Sequence, residues 1–396
     1  MRRSRRGRKC TDKKAIIYLD HAATSWPKPP GVGEAMMEIL NGPAANAGRG
    51  NHSMALQAGR VLFRTRSQLA KLFNISNPNN IAFTSNTTSA LNLAIKGFLR
   101  PGDHVIATMI EHNSVRRPLE YLRRTQGISV DYAAVDREGK LNLEDLKTRF
   151  KPTTRLVVCS HSSNLLGSIL PIHDISAVAH EHGATLLVDA AQTAGTYPID
   201  VQDLNIDLMA FPGHKGLLGP QGTGGLYIRP EIDLEPLLHG GTGSQSEAPE
   251  QPDVRPDRFE AGTANAPGIA GLGAGVSFVL KQGVEYIYQK EWELTQFIME
   301  ELQSIAGISI IGPSLGESRT GIVSFTMAGR DASEVAFALD RDYGIAVRAG
   351  YHCTPLGHQT AGTLEGGAVR ASVGYNTTTQ DVEALIFAVK SLTKLY

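Results

Sequence analysis

The sequence predicts an α/β fold, with a large unit on a mostly parallel central sheet flanked by helices and a small α+β unit at the C-terminal end. Three observations predict it. From about residue 81, short apolar runs of strand character alternate with stretches of helical spacing. A Gly-, Pro- and polar-rich segment interrupts this alternation at 239–268. Beyond it, strands and helices mix around a turn-rich stretch at 349–367. A chain of 396 residues is long enough for two units.

The elements follow in order. AIIYLDHAAT reads as extended and belongs to an N-terminal arm at 16–35. Residues 53–73 carry Leu62, Leu69, Leu72 and Phe73 at helical spacing. IAFTSN is a strand and its turn, and TTSALNLAIKGFL is a helix that starts on Thr87. HVIATMI, ISVDYAAV, RLVVCSH, TLLVDAA and DLMAF are candidate strands, with helical LEDLKTRF and IHDISAVAHEHG between them. The spacing predicts one long helical stretch over 270–304. GIVSFTM, DASEVAFALDRDYG, IAVRAG, GAVRASVG and DVEALIFAVKSL then build the small unit. The expected divisions are a basic tail at 1–15, the arm at 16–35, the large unit at 36–268 and the small unit at 269–396.

Composition removes several function classes. Hydrophobic residues make up 41% and charged residues 20%, the balance of a soluble globular protein. No apolar run approaches the roughly 18 residues of a membrane span. The zero net charge hides an asymmetry, since residues 1–14 carry eight Lys/Arg and one Asp, leaving 31 basic and 38 acidic residues elsewhere. The body is therefore mildly acidic and has no nucleic-acid footprint. The basic head reads as a disordered tail or added remnant; a nucleic-acid or membrane tether and a transit peptide are the other readings. Cys10, Cys159 and Cys353 are too scattered for a disulfide scaffold, so a reducing cytoplasm is expected. The His and Cys spacings offer no plausible metal set.

Sites in open parallel sheets lie at the C-terminal ends of strands. Three candidate strands end in reactive groups: TLLVDAAQ in Asp189 and Gln192, DLMAFPGHKG in His214 and Lys215, and RLVVCSHSSN in Asn164. A lysine directly after a buried strand is poorly explained as a solvated surface group. With an Asp at a strand end 26 residues earlier, it suits Schiff-base chemistry. Such a lysine needs a fixed position and a lowered pKa, and an Asp facing a pyridinium nitrogen keeps that ring an electron sink. Thr87 and Thr88 stand where a helix begins, either as an ordinary N-cap or as a phosphate cradle. His112 follows an apolar strand and is either a structural histidine or one that stacks on a ring. Cys159 lies in the apolar run LVVC and reads as core. Cys353 lies in RAGYHCTPLGHQ beside His352 and Arg348, an electropositive setting that favours the thiolate.

Taken together, YLDHAAT, GRGNH, TSNTTSALNLA, EHNS, SNLLG, VDAAQ, FPGHKGLLGPQGTGGLY, FEAGTANAPG, VRAGYHCTP and GAVRAS resemble the cysteine desulfurase/selenocysteine lyase branch of the class V aminotransferases. The motifs run in the family's order over about 18–376. The resemblance implies a fold-type I homodimer dependent on pyridoxal 5'-phosphate (PLP). It implies that Lys215 links to the cofactor, Asp189 faces its ring nitrogen, and Gln192 lies near its phenolic oxygen. His112 stacks on the ring, and Thr88 and His214 hold the phosphate with Thr87 adjacent. Asn164 lies near substrate and cofactor oxygen, Arg370 clamps the substrate carboxylate, and Arg348 shapes that pocket. Thr263 reaches the neighbouring subunit's phosphate. The implied reaction converts L-cysteine to L-alanine and leaves the sulfur on Cys353 as a persulfide, to be removed by an acceptor protein or a reductant. Selenocysteine lyase activity is the alternative, with a class V transaminase or epimerase reaction further off. Two positions depart from the pattern. Pro212 replaces a serine common among relatives, and Gly48 replaces a histidine found in some, although Arg49 and His52 match.

Overall fold

The computed structural model describes residues 16–42, 45–47, 50 and 52–394. The expected basic tail with Cys10, and the motif positions Gly48 and Arg49, lie outside the described residues.

The chain opens with β1 (Ile17–Tyr18), α1 (Val32–Asn41) and α2 (Ser53–Leu72). The alternating part runs β2 (Ile81–Thr84), α3 (Thr87–Phe98), β3 (His104–Thr108), α4 (Asn113–Gln126) and β4 (Ser129–Ala133). It continues through α5 (Leu143–Thr148), β5 (Thr154–Ser160), α6 (Ile172–Glu181), β6 (Thr185–Asp189), β7 (Leu208–Pro212) and β8 (Gly224–Ile228). After an irregular segment come α7 (Ala266–Gln282) and α8 (Val284–Gln303). The last part contains β9 (Ile308–Ile311), β10 (Ile322–Met327), α9 (Ala332–Ala338), β11 (Ile345–Ala346) and β12 (Arg348–Gly350). It ends with α10 (Pro355–Ala361), β13 (Ala368–Ser372) and α11 (Thr379–Lys394).

The seven-stranded central sheet has the order β2-β8-β7-β6-β5-β3-β4. It is parallel from β7 to β4, and β8 runs antiparallel to both β7 and β2. Strand side chains alternate between faces. Ile106, Val157, Val188 and Met209 enter one core with Leu69 and Leu272. Val105, Val158, Leu187 and Leu208 enter the other with Leu91 and Leu119. Burial on both faces explains the nearly continuous apolar runs of these strands.

Several elements differ from the sequence expectation, among them β8, α4 and the helical stretch over 270–304. β8 has no counterpart there, because GGLYI opens on two glycines; at Gly225 a Cβ would come within 2.5 Å of the Phe211 ring. α4 buries Val115, Leu119 and Leu122, a stripe masked by four arginines and by Pro118. The stretch expected as one helix is two, divided at Gly283, whose φ of 87° is left-handed. The expected division at 268 falls inside α7, which packs through Gly271 and Gly273 against Met36 and Thr65.

The smaller sheet is antiparallel, β12-β13-β10-β9, and shares a core with residues of α8, α9 and α11. β1 crosses to this part, pairing in parallel with β11, and Asp20 bridges to Ser372. No helix among the described residues is long and apolar enough to cross a membrane.

Candidate functional site

The parallel strands aim their C-terminal ends at one cavity of about 190 Å³. β6 delivers Asp189, the turn after β7 delivers His214 and Lys215, the turn after β5 delivers Asn164, and β3 leads to His112. With Gln192, Thr87 and Thr88, eight residues singled out in the sequence line this single space.

Asp189 is buried, and its Oδ1 accepts a hydrogen bond from Ala191 N at 2.9 Å. Burial raises its pKa to about 6, while the Ala191 bond and the Lys215 charge pull the other way. Burial lowers Lys215 to about 8; Arg370 pushes in the same direction and Asp189 opposes. Both groups thus titrate near neutrality, as groups that exchange protons should.

His112 is the N-cap of α4, and its Nδ1 accepts from Ser114 N at 3.0 Å. Burial, then Lys215 and Arg348, lower its pKa to about 4, so the ring is neutral with its proton assigned to Nε2. Asn86 caps α3 through Ser89 N at 2.9 Å, leaving the first N–H groups of that helix and the hydroxyls of Thr87 and Thr88 at the cavity. Thr88 Oγ1 lies 2.7 Å from Ser114 Oγ. His214 is held by the N-terminal arm. Its Nδ1 is 3.1 Å from Thr24 Oγ1, and its carbonyl accepts from Ser25 N at 3.0 Å and Lys28 Nζ at 2.9 Å. Gln192 Nε2 donates to Ala22 O of the same arm at 3.2 Å. Pro212 closes β7 and supplies no hydroxyl, while His52 serves as the N-cap of α2.

Arg370 comes from β13, directly opposite Arg348 of β12. It is 1% exposed; one terminal nitrogen donates to Asn164 O at 2.9 Å and the other to Asp20 Oδ1 at 3.0 Å. Its buried Nε has no hydrogen-bond partner among the described residues. Asp20 was not singled out from the sequence; its place just past the first extended segment was the available signal.

Cys353 is exposed and sits in a turn where His352 and Cys353 both adopt left-handed φ, 50° and 59°. Two bonds pin this turn: Asn164 Nδ2 donates to His352 O at 2.6 Å and Asn113 N to Cys353 O at 2.8 Å. Thr354 Oγ1 donates to Glu111 O at 3.2 Å. Arg348 reaches to 3.7 Å from Cys353 Sγ. Cys159 is core, as read from the sequence, and burial pushes its thiol pKa up.

Thr263 stands apart. It is exposed in a second cavity of about 340 Å³ with Ser85 and Glu260, and Asn46 Nδ2 donates to it at 3.4 Å. Sequence reading also missed Glu111, although it adjoins His112. Its buried carboxylate accepts from Ser160 N at 2.9 Å and Ser160 Oγ at 3.0 Å, and burial raises its pKa to about 7.

The set suits PLP. A buried carboxyl answers a ring nitrogen, an amine with a lowered pKa answers an aldehyde, and a helix N-terminus with two hydroxyls answers a phosphate.

The profile of the family described as Aminotransferase class-V matches residues 17–385. A probable cysteine desulfurase of Methanothermobacter thermautotrophicus is 38% identical over 376 residues, 93% of this chain and 92% of that protein. A cysteine desulfurase of Escherichia coli (strain K12 / DH10B) is 34% identical and covers 96% of this chain and 94% of its own length. Among solved structures, the apo cysteine desulfurase of Thermococcus onnurineus NA1 superposes with a TM-score of 0.90 at 34% identity, over 96% of this chain and 95% of that one. The Escherichia coli cysteine desulfurase CsdA gives 0.86 at 28% identity, over 96% and 95%.

Proposed function

The chain belongs to the class-V aminotransferase family, and we propose that it is a PLP-dependent cysteine desulfurase that moves the sulfur of L-cysteine to Cys353 and releases L-alanine. Its relatives named for that activity support this reading. The observation that carries it is the exposed thiol of Cys353, held on a pinned turn beside Arg348.

Bound in the cavity, PLP supplies an electron-withdrawing ring that stabilises the charge left when the substrate loses its Cα proton. The protein's own groups do the rest. Lys215 would hold the cofactor covalently and then receive the Cα proton at Nζ, a task that suits an amine whose pKa burial lowers to about 8. Asp189 would keep the ring nitrogen protonated, His112 would stack on the ring, and Gln192 and Asn164 would serve its oxygen. Thr88, His214 and Thr87 would take the phosphate. Arg370, assisted by Arg348, orients the substrate carboxylate. The Cys353 thiolate attacks the substrate sulfur. An S–S bond forms, the C–S bond breaks, and its electron pair stays on the carbon, which then gains a proton. A reductant or an acceptor protein must next take the terminal sulfur. Because Thr263 lies outside the Lys215 cavity, it fits a homodimer in which it serves the neighbouring subunit's phosphate.

Mass spectrometry after cysteine turnover should find one added sulfur, located on Cys353. Cys353→Ser should still bind PLP yet form no persulfide, since a serine hydroxyl is a poor nucleophile toward sulfur. Desulfuration by that variant at the parent rate, or the added sulfur on Cys159 or Cys10, would sink the reading.

A further inference from the structure

Lys215 and Gln192 line a second space as well as the cavity already described. This half-open crevice of about 40 Å³ separates Lys215 and Gly216 from Gly321, Ser372 and Gly374. At roughly 10–15 Å³ for each molecule, it has room for a few waters. Two of its walls are buried titratable groups, His21 at 7% exposure and Glu291 at 5%. Neither ring nitrogen of His21 makes a well-formed hydrogen bond among the described residues, although the Tyr18 backbone acts on the ring and favours its protonation. The glycines opposite keep the space open. A Cβ at Gly321 would come within 2.8 Å of Glu291 Oε2, and one at Gly374 within 2.3 Å of His21 Nδ1. Buried polar groups left without protein partners are met by ordered water.

The two groups are complementary. Burial raises Glu291 to about 8 and lowers His21 to about 4. Near neutrality the carboxyl keeps its proton and the imidazole takes none, so a donor and an acceptor share one small space. Lys215 and Tyr375 also line it, while Lys28 and Asp381 act on His21 and Lys290 acts on Glu291.

We propose that His21 and Glu291 hold a short chain of waters against Lys215, through which that amine exchanges protons with solvent while cofactor and substrate fill the other cavity. The proposal rests on the desulfurase reading. Each water hands on one proton as it accepts another, so the amine gives up the proton taken from the substrate and regains one from solvent with no net change of charge. Both residues act through water and are positioning residues.

The test uses holoenzyme and cysteine deuterated at Cα, in ordinary water, with the deuterium kept in the alanine product as the readout. The parent should lose the label to solvent. Glu291→Gln and His21→Asn should each retain a larger fraction, because the Lys215 ammonium is cut off from exchange. A merely structural role would lower the rate and leave the fraction unchanged, and that result overturns the proposal. A second readout needs no turnover. In the cofactor-free protein, Glu291→Gln should shift the imidazole nitrogen resonances of His21, assigned by their loss in His21→Asn. Resonances unmoved by the Glu291 change would also overturn it, whether or not alanine is formed.

Discussion

The ends of β5, β6 and β7 and the turn at Cys353 solve opposite problems. Asp189 and Lys215 stand on or just past strands whose neighbours are buried on both faces, and regular backbone fixes them. Cys353 stands in an exposed turn with two consecutive left-handed residues, a backbone that non-glycine residues adopt at some cost. Its position is imposed from outside, by Asn164 and Asn113 bonding two successive carbonyls. On the proposed reading, the difference teaches that groups working on protons can be locked into a sheet, whereas a thiol that passes sulfur from a substrate to an acceptor is better held by a few removable bonds.

Four changes break or sharpen this contrast. Lys215→Ala strikes the rigid side and should abolish turnover while leaving only non-covalent PLP; borohydride reduction and peptide mapping of the parent should find the cofactor on Lys215 and on no other lysine. Arg370→Lys should weaken transition-state binding by about 1.5–3 kcal/mol, the scale of a hydrogen bond to a charged group, and should harm cysteine more than PLP. Unchanged kcat and KM would remove Arg370 from the site. Thr354→Val strikes the pinned side. Thr354 is fully buried and bonds Glu111 O, so its loss should lower stability by about 1–3 kcal/mol in denaturant titrations and slow persulfide formation while PLP affinity holds. PLP affinity falling in step would mean that turn and sheet are one unit.

The fourth change tests a pH dependence at the crevice between the two parts. Glu291 has a folded pKa of about 8 against an ordinary 4.5, so the folded state holds its proton more tightly. Its contribution is fully present below pH 4.5 and is lost as pH rises through about 8. In the cofactor-free protein, the melting temperature of Glu291→Gln relative to the parent should climb across that window and then level off. A flat difference would show that the carboxyl is ionised in the fold.

The strand-end residues were legible because each follows an unbroken apolar run, as Asp189 follows TLLV. Cys353 was legible from its polar neighbours. The pairing of Asp20 with Arg370 was not, since 350 residues separate them, and the pairing of β1 with β11 and the bridge from Asp20 to Ser372 bring them together. Glu291 was hidden in another way. It occupies a core position of α8 between Ile287 and Leu294, where sequence reading follows the apolar residues and passes over the one buried acid. The break at Gly283 was lost because helical spacing resumes at once on its far side.

The same Asp20–Arg370 pair bears on how the protein is made. A ribosome releases Arg370 350 residues after Asp20, tens of seconds later at about 5–20 residues per second. Through that interval β1 has no β11 to pair with, and Lys215 has emerged without Arg370 or the thiol it is to serve. On the proposed reading, neither the substrate's carboxylate site nor its sulfur acceptor exists until that interval has passed. On the proposed reading, a nascent chain within that interval carries the lysine without the means to consume cysteine, so no reactive sulfur is made before both parts of the fold are present.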